Sequence, residues 1–233
     1  LVLFQVREDI TPLRQEQSCF IERCRVARKQ FTFINIVDTP TVSWKDVEDA
    51  HAVLIGGAGA YSVTHDHPFT ESLADLVLEV IERDRPLFGA CWGHQFMVRV
   101  TGGTVIEDPE QGEIGTFSLN LTEEGVRDPI FSEFPPSFWA QLGHKDSVGV
   151  LGNGWRELAY SARSRNQAIR YADKPVYGTQ FHSELNEERL RERLLVYLDD
   201  YVGDQEEFER IIRGLRPSID ADGLMARFLE LYA

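Results

Sequence analysis

Short runs rich in β-branched and aromatic residues alternate with helical patterns through the first hundred residues, and this alternation constrains the fold more than any other feature. Four runs, each ended by turn-forming residues, predict strands at residues 1–6, 31–37, 52–55 and 86–90. Apolar side chains recur at helical spacing within residues 13–29 and 73–81. Strands that alternate with amphipathic helices are typical of βαβ units, so we expect a parallel sheet covered by helices.

The pattern changes after Gly102, where short strand-like runs are separated by glycines and prolines. These runs cover residues 115–121, 138–142, 157–160 and 176–181, and they predict an antiparallel or mixed extension of the same sheet. After Glu184 the chain becomes charged and amphipathic. This second change predicts helices over 187–201 and 205–213, a loop over 214–223 and a last short helix.

Composition narrows the class of protein. The 233 residues include 24 Lys+Arg and 38 Asp+Glu, which gives a formal net charge of −14 and argues against nucleic acid and membrane surfaces as partners. We expect no signal peptide, because the short apolar start lacks a basic flank, and no membrane helix, because no apolar run approaches the roughly 20 residues required. Three scattered cysteines do not form a disulfide framework, so we expect reduced thiols and a cytoplasmic protein.

The segment from Pro86 to Met97 carries the first chemical signal. A predicted strand ends at Ala90, a helix begins near Trp92, and Cys91 lies at the junction with a glycine two residues away on each side. This is the pattern of a nucleophile elbow, in which a tight strand-to-helix turn presents one side chain to a cleft. A cysteine at the start of a helix is a candidate thiolate nucleophile, because the helix dipole favours the anion.

A nucleophilic cysteine needs a base that is oriented by a third group. His182 follows an apolar run and has Glu184 two residues later, so both side chains share a face of an extended chain. His144 has Asp146 at the same offset, and spacing alone does not choose between the two pairs. The sequence His-Asp-His at 65–67 resembles a fragment of a metal site, but no third ligand cluster follows at a fitting distance, so we expect no metal.

Backbone donors for an oxyanion are the remaining requirement of acyl chemistry. The sequence Gly-Gly-Ala-Gly at 56–59 follows a predicted strand, and such a turn can direct N–H groups into the crevice at the carboxyl ends of the strands. A phosphate-binding loop is the rival interpretation, but neither of the glycine spacings typical of such loops is present. We therefore expect an oxyanion loop.

Two motifs together resemble those of class I glutamine amidotransferases. The segment Gly-Ala-Cys-Trp-Gly-His-Gln at 89–95 resembles the family signature around its nucleophile, and Gly-Thr-Gln-Phe-His-Ser-Glu at 178–184 resembles the signature around its base. The glycine-rich 56–59 segment, Glu-Ile-Gly at 113–115 and His-Lys-Asp-Ser-Val at 144–148 look like further family segments in the expected order. The resemblance implies a flavodoxin-like three-layer sandwich with a mixed, mainly parallel sheet, comprising residues 1–201, followed by a helical extension over 202–233.

The resemblance also implies roles for individual residues. Cys91 would be the nucleophile, His182 the general base and acid, and Glu184 the residue that orients His182. The backbone N–H groups of Gly57 and Trp92 would form the oxyanion hole.

Three further positions match the family's substrate site. Gln95 would contact the substrate glutamine, and the backbone around Gly143 and His144 would receive its amino and carboxylate groups.

The implied reaction is hydrolysis of the side-chain amide of glutamine to glutamate and ammonia, without a cofactor. In most relatives the ammonia goes to a synthetase subunit or domain, and this sequence has neither a pyrophosphatase loop nor a Walker lysine, so a separate synthetase is a candidate partner. A stand-alone γ-glutamyl peptidase would use the same catalytic residues. A relative that has lost catalysis and acts as a regulator or scaffold is the third alternative.

Overall fold

A computed structural model of the chain describes residues 1–108, 110, 112–197 and 205–233. The strands are β1 Val2–Val6, β2 Thr32–Asn35, β3 Val53–Ala58, β4 Leu87–Ala90, β5 Thr104–Glu107, β6 Glu113–Leu121, β7 Ser137–His144, β8 Asp146–Val150, β9 Trp155–Ser161, β10 Ala168–Tyr171 and β11 Val176–Thr179. The α-helices are α1 Ile10–Cys24, α2 Thr70–Glu82, α3 Trp92–Val100, α4 Glu123–Arg127, α5 Glu187–Val196, α6 Gln205–Gly214, α7 Ile219–Asp222 and α8 Leu224–Tyr232.

Within the described residues, nine of the strands form one sheet in the order β2-β1-β3-β4-β11-β10-β9-β6-β7. The five strands from β2 to β11 are parallel, and the pairs from β11 to β7 are antiparallel. The expected mixed sheet with a parallel half is confirmed. Because β4 and β11 are neighbours in register, the chain segments that follow Ala90 and Thr179 leave the sheet side by side.

Helices cover both faces of the sheet, as a three-layer sandwich requires. On one face, Phe4 and Ile55 pack with side chains of α2 and α3, and on the other face Leu3 and Phe88 pack with α1 and α8. Successive residues of the parallel strands therefore enter opposite cores, which explains why the interior strands β1, β3 and β4 are buried along nearly their whole length rather than at every second residue. The expected architecture is confirmed in this arrangement.

Several elements differ from the sequence-based predictions. Strands β5, β8 and β10 and the helix α4 were not predicted, and β5 pairs with β8 in a separate two-stranded sheet. The predicted loop over 214–223 is wrong in part, because it contains the one-turn helix α7. Four residues are too few to display a helical period, and Ala221 is its only buried side chain.

The predicted domain boundary between residues 201 and 202 lies outside the described residues, as does the end of the helix predicted over 187–201. The described helix α5 ends at Val196. Farther along, α8 buries Phe228 against Phe88 and Tyr177 of the sheet. None of the described helices is both long and apolar enough to cross a membrane.

Candidate active site

Cys91 lies at the turn between β4 and α3, as the elbow pattern predicts. Its backbone has φ 50° and ψ −100°, in a region that residues with a Cβ rarely adopt, and its N–H donates to the carbonyl of Thr179 at 2.7 Å. The flanking glycines are required by close packing, since a Cβ on Gly93 would lie 2.5 Å from the carbonyl oxygen of Ile55 and one on Gly89 would lie 2.6 Å from Gly93. The backbone is thus forced into the turn that presents Cys91.

His182 and Glu184 follow β11, the strand beside β4, and their side chains form a close pair. The distance from Nδ1 of His182 to Oε1 of Glu184 is 2.6 Å, and both side chains are buried. Burial disfavours the imidazolium, but the charges of Glu184 and Cys91 and their hydrogen bonds to the ring outweigh it and raise the pKa of His182 to about 10. Burial likewise opposes ionisation of Glu184, yet His182 lowers the pKa of this carboxyl below its ordinary value.

The alternative pair, His144 and Asp146, is arranged differently. Nδ1 of His144 contacts the backbone oxygen of Asp146 at 2.9 Å rather than its carboxylate, which accepts a hydrogen bond from Ser62 at 2.6 Å. The other ring nitrogen lies 3.4 Å from Oε2 of Glu113, and Gln167 donates to the same oxygen at 2.8 Å. His144 is thereby tied to a buried network beside the cleft, whereas His182 interacts electrostatically with Cys91.

The segment Gly56 to Gly59, which we call the glycine loop, ends β3 beside the elbow. A Cβ on Gly57 would lie 3.1 Å from Cε1 of His182 and 3.8 Å from Cβ of Cys91, so this backbone borders both side chains. On the other side of the thiol, Trp92 is the first residue of α3. Its N–H is one of the donors that a helix start leaves without an intrahelical acceptor.

A buried glutamine that the sequence analysis did not single out also reaches the thiol. Nε2 of Gln180 donates to Sγ of Cys91 at 3.6 Å, and its Oε1 accepts from Nε2 of Gln95 at 3.0 Å. Gln95 donates in addition to the backbone oxygen of Asp146 at 2.8 Å. Position 180 lies within the His182 motif, and an amide side chain two residues before a candidate catalytic histidine is the signal that could have identified it.

These groups open into a cleft of about 340 Å³, within the range of small-molecule sites. The sequence-predicted residues Cys91, Trp92, Gln95, Gly143 and His144 all line it. The remaining lining residues are Ala58, Gly59, Ala60, Tyr61, Ser62, Lys145 and Asp146. One cleft therefore collects residues from the ends of β3, β4 and β7, as expected at the carboxyl edge of a parallel sheet.

The His-Asp-His segment has other partners. Asp66 pairs with Arg99 at 2.5 Å, and the His67 ring packs against Tyr61 and Phe69 while its Nε2 lies 3.1 Å from the carbonyl oxygen of Ser62. Across the described ranges, no three His, Cys, Asp or Glu side chains are placed to hold a metal ion.

A buried ion pair behind the glycine loop was also missed by the sequence analysis. Nη2 of Arg7 lies 2.7 Å from Oε1 of Glu16, and the two side chains are 2% and 0% exposed. Arg7 directly follows β1, and a charged residue at the carboxyl end of a central strand is the signal that could have pointed to it.

The fold recurs in solved structures of other proteins. A glutamine amidotransferase from Thermotoga maritima matches with a TM-score of 0.78 at 19% identity, covering 100% of this chain and 97% of that one. A glutamine amidotransferase from Methylobacillus flagellatus matches with a TM-score of 0.77 at 16% identity, covering 100% of this chain and 95% of that one. At these identities the likeness shows the fold, and it confirms the expected flavodoxin-like architecture.

Sequence comparison points to the same group of proteins. One subunit of the glutamine-hydrolyzing GMP synthase of Archaeoglobus fulgidus is 31% identical over 147 residues, which cover 63% of this chain and 72% of the relative. The glutamine-hydrolyzing GMP synthase of Borrelia garinii subsp. bavariensis is 28% identical over 157 residues, which cover 67% of this chain but only 28% of that protein.

A family model described as glutamine amidotransferase class-I matches residues 19–196, more than half of the chain. The matched range contains the glycine loop, the cysteine elbow and the histidine–glutamate pair, and the chain therefore belongs to the class-I glutamine amidotransferase family.

Proposed function

We propose that this chain hydrolyses the side-chain amide of glutamine to glutamate and ammonia with a Cys91–His182–Glu184 triad. The observation that carries the proposal is the buried row of three groups: the carboxylate lies 2.6 Å from the imidazole, and the imidazole and the cysteine of a strained elbow both border Gly57. A nucleophile, a base and an orienting group in sequence are the parts that covalent acyl transfer requires.

The first half of the reaction forms a thioester. The Cys91 thiolate attacks the amide carbonyl carbon, and the tetrahedral intermediate collapses as protonated His182 gives its proton to the amide nitrogen, which leaves as ammonia. The raised pKa of His182, about 10, supports this role, because the ring is then protonated at neutral pH before substrate arrives. Glu184 keeps the imidazolium oriented and balances its charge.

The second half regenerates the thiol. Neutral His182 takes a proton from water, the resulting hydroxide adds to the thioester carbonyl, and the Cys91 thiolate leaves as the side-chain carboxylic acid of glutamate forms. That acid then gives its proton to the released ammonia or to solvent. The imidazolium produced in this step is the acid of the next cycle, so atoms and protons balance without a cofactor.

The oxyanion of both intermediates would accept hydrogen bonds from the backbone N–H groups of Gly57 and Trp92. They border the thiol from two elements, the end of β3 and the start of α3. Loss of one such donor typically lowers kcat by about 10²- to 10³-fold.

The cleft beyond the thiol would hold the amino acid portion of the substrate. Gln95 is fixed by Asp146 and Gln180, and the backbone at Gly143 and His144 faces the same space. These groups could receive the α-amino and carboxylate groups of glutamine.

The use of the ammonia would depend on a partner. Two of the relatives above are glutamine-hydrolyzing GMP synthases, and the match in one of them is to a single subunit of the enzyme. This supports a separate synthetase as the acceptor of ammonia. Purification of the chain with a synthetase that it activates would test this part of the proposal.

Release of glutamate from glutamine by the purified protein tests the reaction. We expect Cys91→Ser to reduce turnover by at least about 10³-fold and His182→Ala to do so as well, whereas His144→Ala, the matched control at the rival histidine, should retain thioester formation. Loss of thioester formation only in the His144 variant would contradict the choice of base. Turnover of γ-glutamyl dipeptides but not of glutamine would favour the peptidase alternative, and no turnover of either would favour a silent relative.

A further inference from the structure

Each glycine of the glycine loop backs onto one buried polar side chain. A Cβ on Gly56 would lie 2.8 Å from Oε1 of Glu16, one on Gly57 would lie 3.3 Å from Nη2 of Arg7, and one on Gly59 would lie 2.5 Å from the ring of Tyr197. The loop therefore rests on three polar groups from three elements, with no room for a side chain at Gly56 or Gly59.

Those polar groups are bonded to one another. Arg7 donates to Oε1 of Glu16 at 2.7 Å and to the hydroxyl of Tyr197 at 3.3 Å, while Gln5 donates to Oε2 of Glu16 at 2.8 Å. The two carboxylate oxygens thus have separate donors, which fixes the rotation of the carboxylate as well as its position. A network bonded at this many points forms a rigid surface behind the loop.

Stability alone gives little reason to keep this pair. Desolvating two charges costs about as much as their attraction returns, and well-packed apolar side chains in place of a buried ion pair are often as stable or more so. Backbone donors of an oxyanion hole, by contrast, must be held within a fraction of an ångström of their productive position. A directional ion pair directly behind the donor peptide meets that need.

We propose that Arg7 and Glu16 are positioning residues that hold the glycine loop so that the N–H of Gly57 faces the oxyanion formed at Cys91. The inference rests on the proposed thiol hydrolysis of glutamine. Both side chains are buried behind the loop, 2% and 0% exposed, and we assign them no contact with substrate.

The test uses the double variant Arg7→Met/Glu16→Leu, which replaces the pair by apolar side chains and leaves no single buried charge. We expect a folded protein whose kcat for glutamine falls about ten- to hundred-fold while KM changes less than about three-fold. Gly56→Ala should likewise lower kcat with little change in KM, because its Cβ would displace the carboxylate of Glu16. Arg7→Lys keeps the charge but cannot donate to Glu16 and Tyr197 from two separate nitrogens. Its kcat should therefore lie between those of the double variant and the wild type.

Two probes separate loop positioning from general damage. An aldehyde analogue of glutamine forms a hemithioacetal with Cys91, whose oxygen takes the oxyanion position, and its affinity should fall in proportion to kcat. Iodoacetamide alkylates the sulfur without building charge on a carbonyl oxygen, and its rate should stay within about two-fold of wild type. Arg170→Met/Asp128→Asn, which removes both charges of another ion pair, 3.4 Å apart and 12% and 2% exposed, is the matched control and should change none of these quantities.

The outcomes are distinct. An unchanged kcat in the folded double variant, or a parallel fall of kcat, aldehyde affinity and alkylation rate, would overturn the positioning role while the proposed function stands. If the double variant does not fold, Gly56→Ala and Arg7→Lys decide by the same criteria. A wild-type protein that does not turn over glutamine would refute the proposed function, and the role of the pair with it.

Discussion

Replacing Cys91 by glycine should give a more stable protein than replacing it by alanine, although both variants lose the thiol. The elbow holds this residue at φ 50° and ψ −100°, where a Cβ is strained and the strain is of order 1–3 kcal/mol. Glycine relieves that strain because it has no Cβ. At an ordinary position the order is reversed, with glycine less stable than alanine by roughly 0.5–1 kcal/mol.

The net difference follows from these two contributions. Relief of about 1–3 kcal/mol, less the roughly 0.5–1 kcal/mol that glycine loses in chain entropy, leaves glycine ahead by about 0–2.5 kcal/mol, with a midpoint of about 1 kcal/mol. Glycine is also preferred to alanine at a helix N-cap, which Cys91 occupies, and this acts in the same direction. Asp9 provides the matched control, because it caps α1 at φ −87° and ψ 134° without a side-chain cap bond.

Urea unfolding of four variants measures the effect: alanine and glycine at position 91, and alanine and glycine at position 9. The glycine advantage at 91 should exceed that at 9 by the relieved strain. In a parallel thermal unfolding experiment, each kcal/mol should appear as a shift in Tm of about 2–4 °C for a chain of this size. Equal differences at the two positions, or a more stable alanine at 91, would refute the argument that the elbow stores strain.

Three further predictions concern the surroundings of the thiol. The pKa of His182 rises from its ordinary 6.5 to about 10, so the stability that the protonated ring contributes is fully present below pH 6.5 and is lost as the pH approaches 10. The unfolding free energies of the wild type and His182→Asn should therefore converge between pH 6.5 and 10. Gln180→Leu removes a donor to Cys91 and should slow alkylation at pH 7 about five-fold, measured with iodoacetamide; an unchanged rate would show that the bond does not support the thiolate. Gly178→Ala puts a Cβ 2.7 Å from Nδ1 of His94 in α3 and should lower the unfolding free energy by about 1–3 kcal/mol. Gly214→Ala, which has open space around it, should leave the unfolding free energy unchanged.

The parallel half of the fold was predictable because its signals are local. Apolar runs and helical spacing within a dozen residues predict β1, β3, β4 and α2 without knowledge of their neighbours. By contrast, β5 is a four-residue strand whose side chains are all exposed or partly exposed, and its pairing with β8 depends on residues about forty positions away. No window of the sequence displays such a pairing.

The candidate site divides in the same way. Motif spacing singled out Cys91, His182 and Glu184, but it left the rival pair at 144 and 146 open, because a shared offset does not reveal which atoms of a side chain meet. The geometry distinguishes the pairs by which oxygen each imidazole meets, a carboxylate oxygen at Glu184 but a backbone oxygen at Asp146. Long-range contacts, such as that between His144 and Glu113, 31 positions apart, add to the difference. Arg7 and its partners were missed for the same physical reason.

The adjacency of β4 and β11 also has a consequence for the order of events during folding. Cys91 and His182 stand side by side only after strands about ninety residues apart have paired, and such distant pairing is slow relative to local helix formation. A chain that has formed its amino-terminal βαβ units therefore carries the cysteine elbow without the imidazole. Glutamine hydrolysis is expected to appear late and abruptly in a refolding experiment, after the helical signal has recovered.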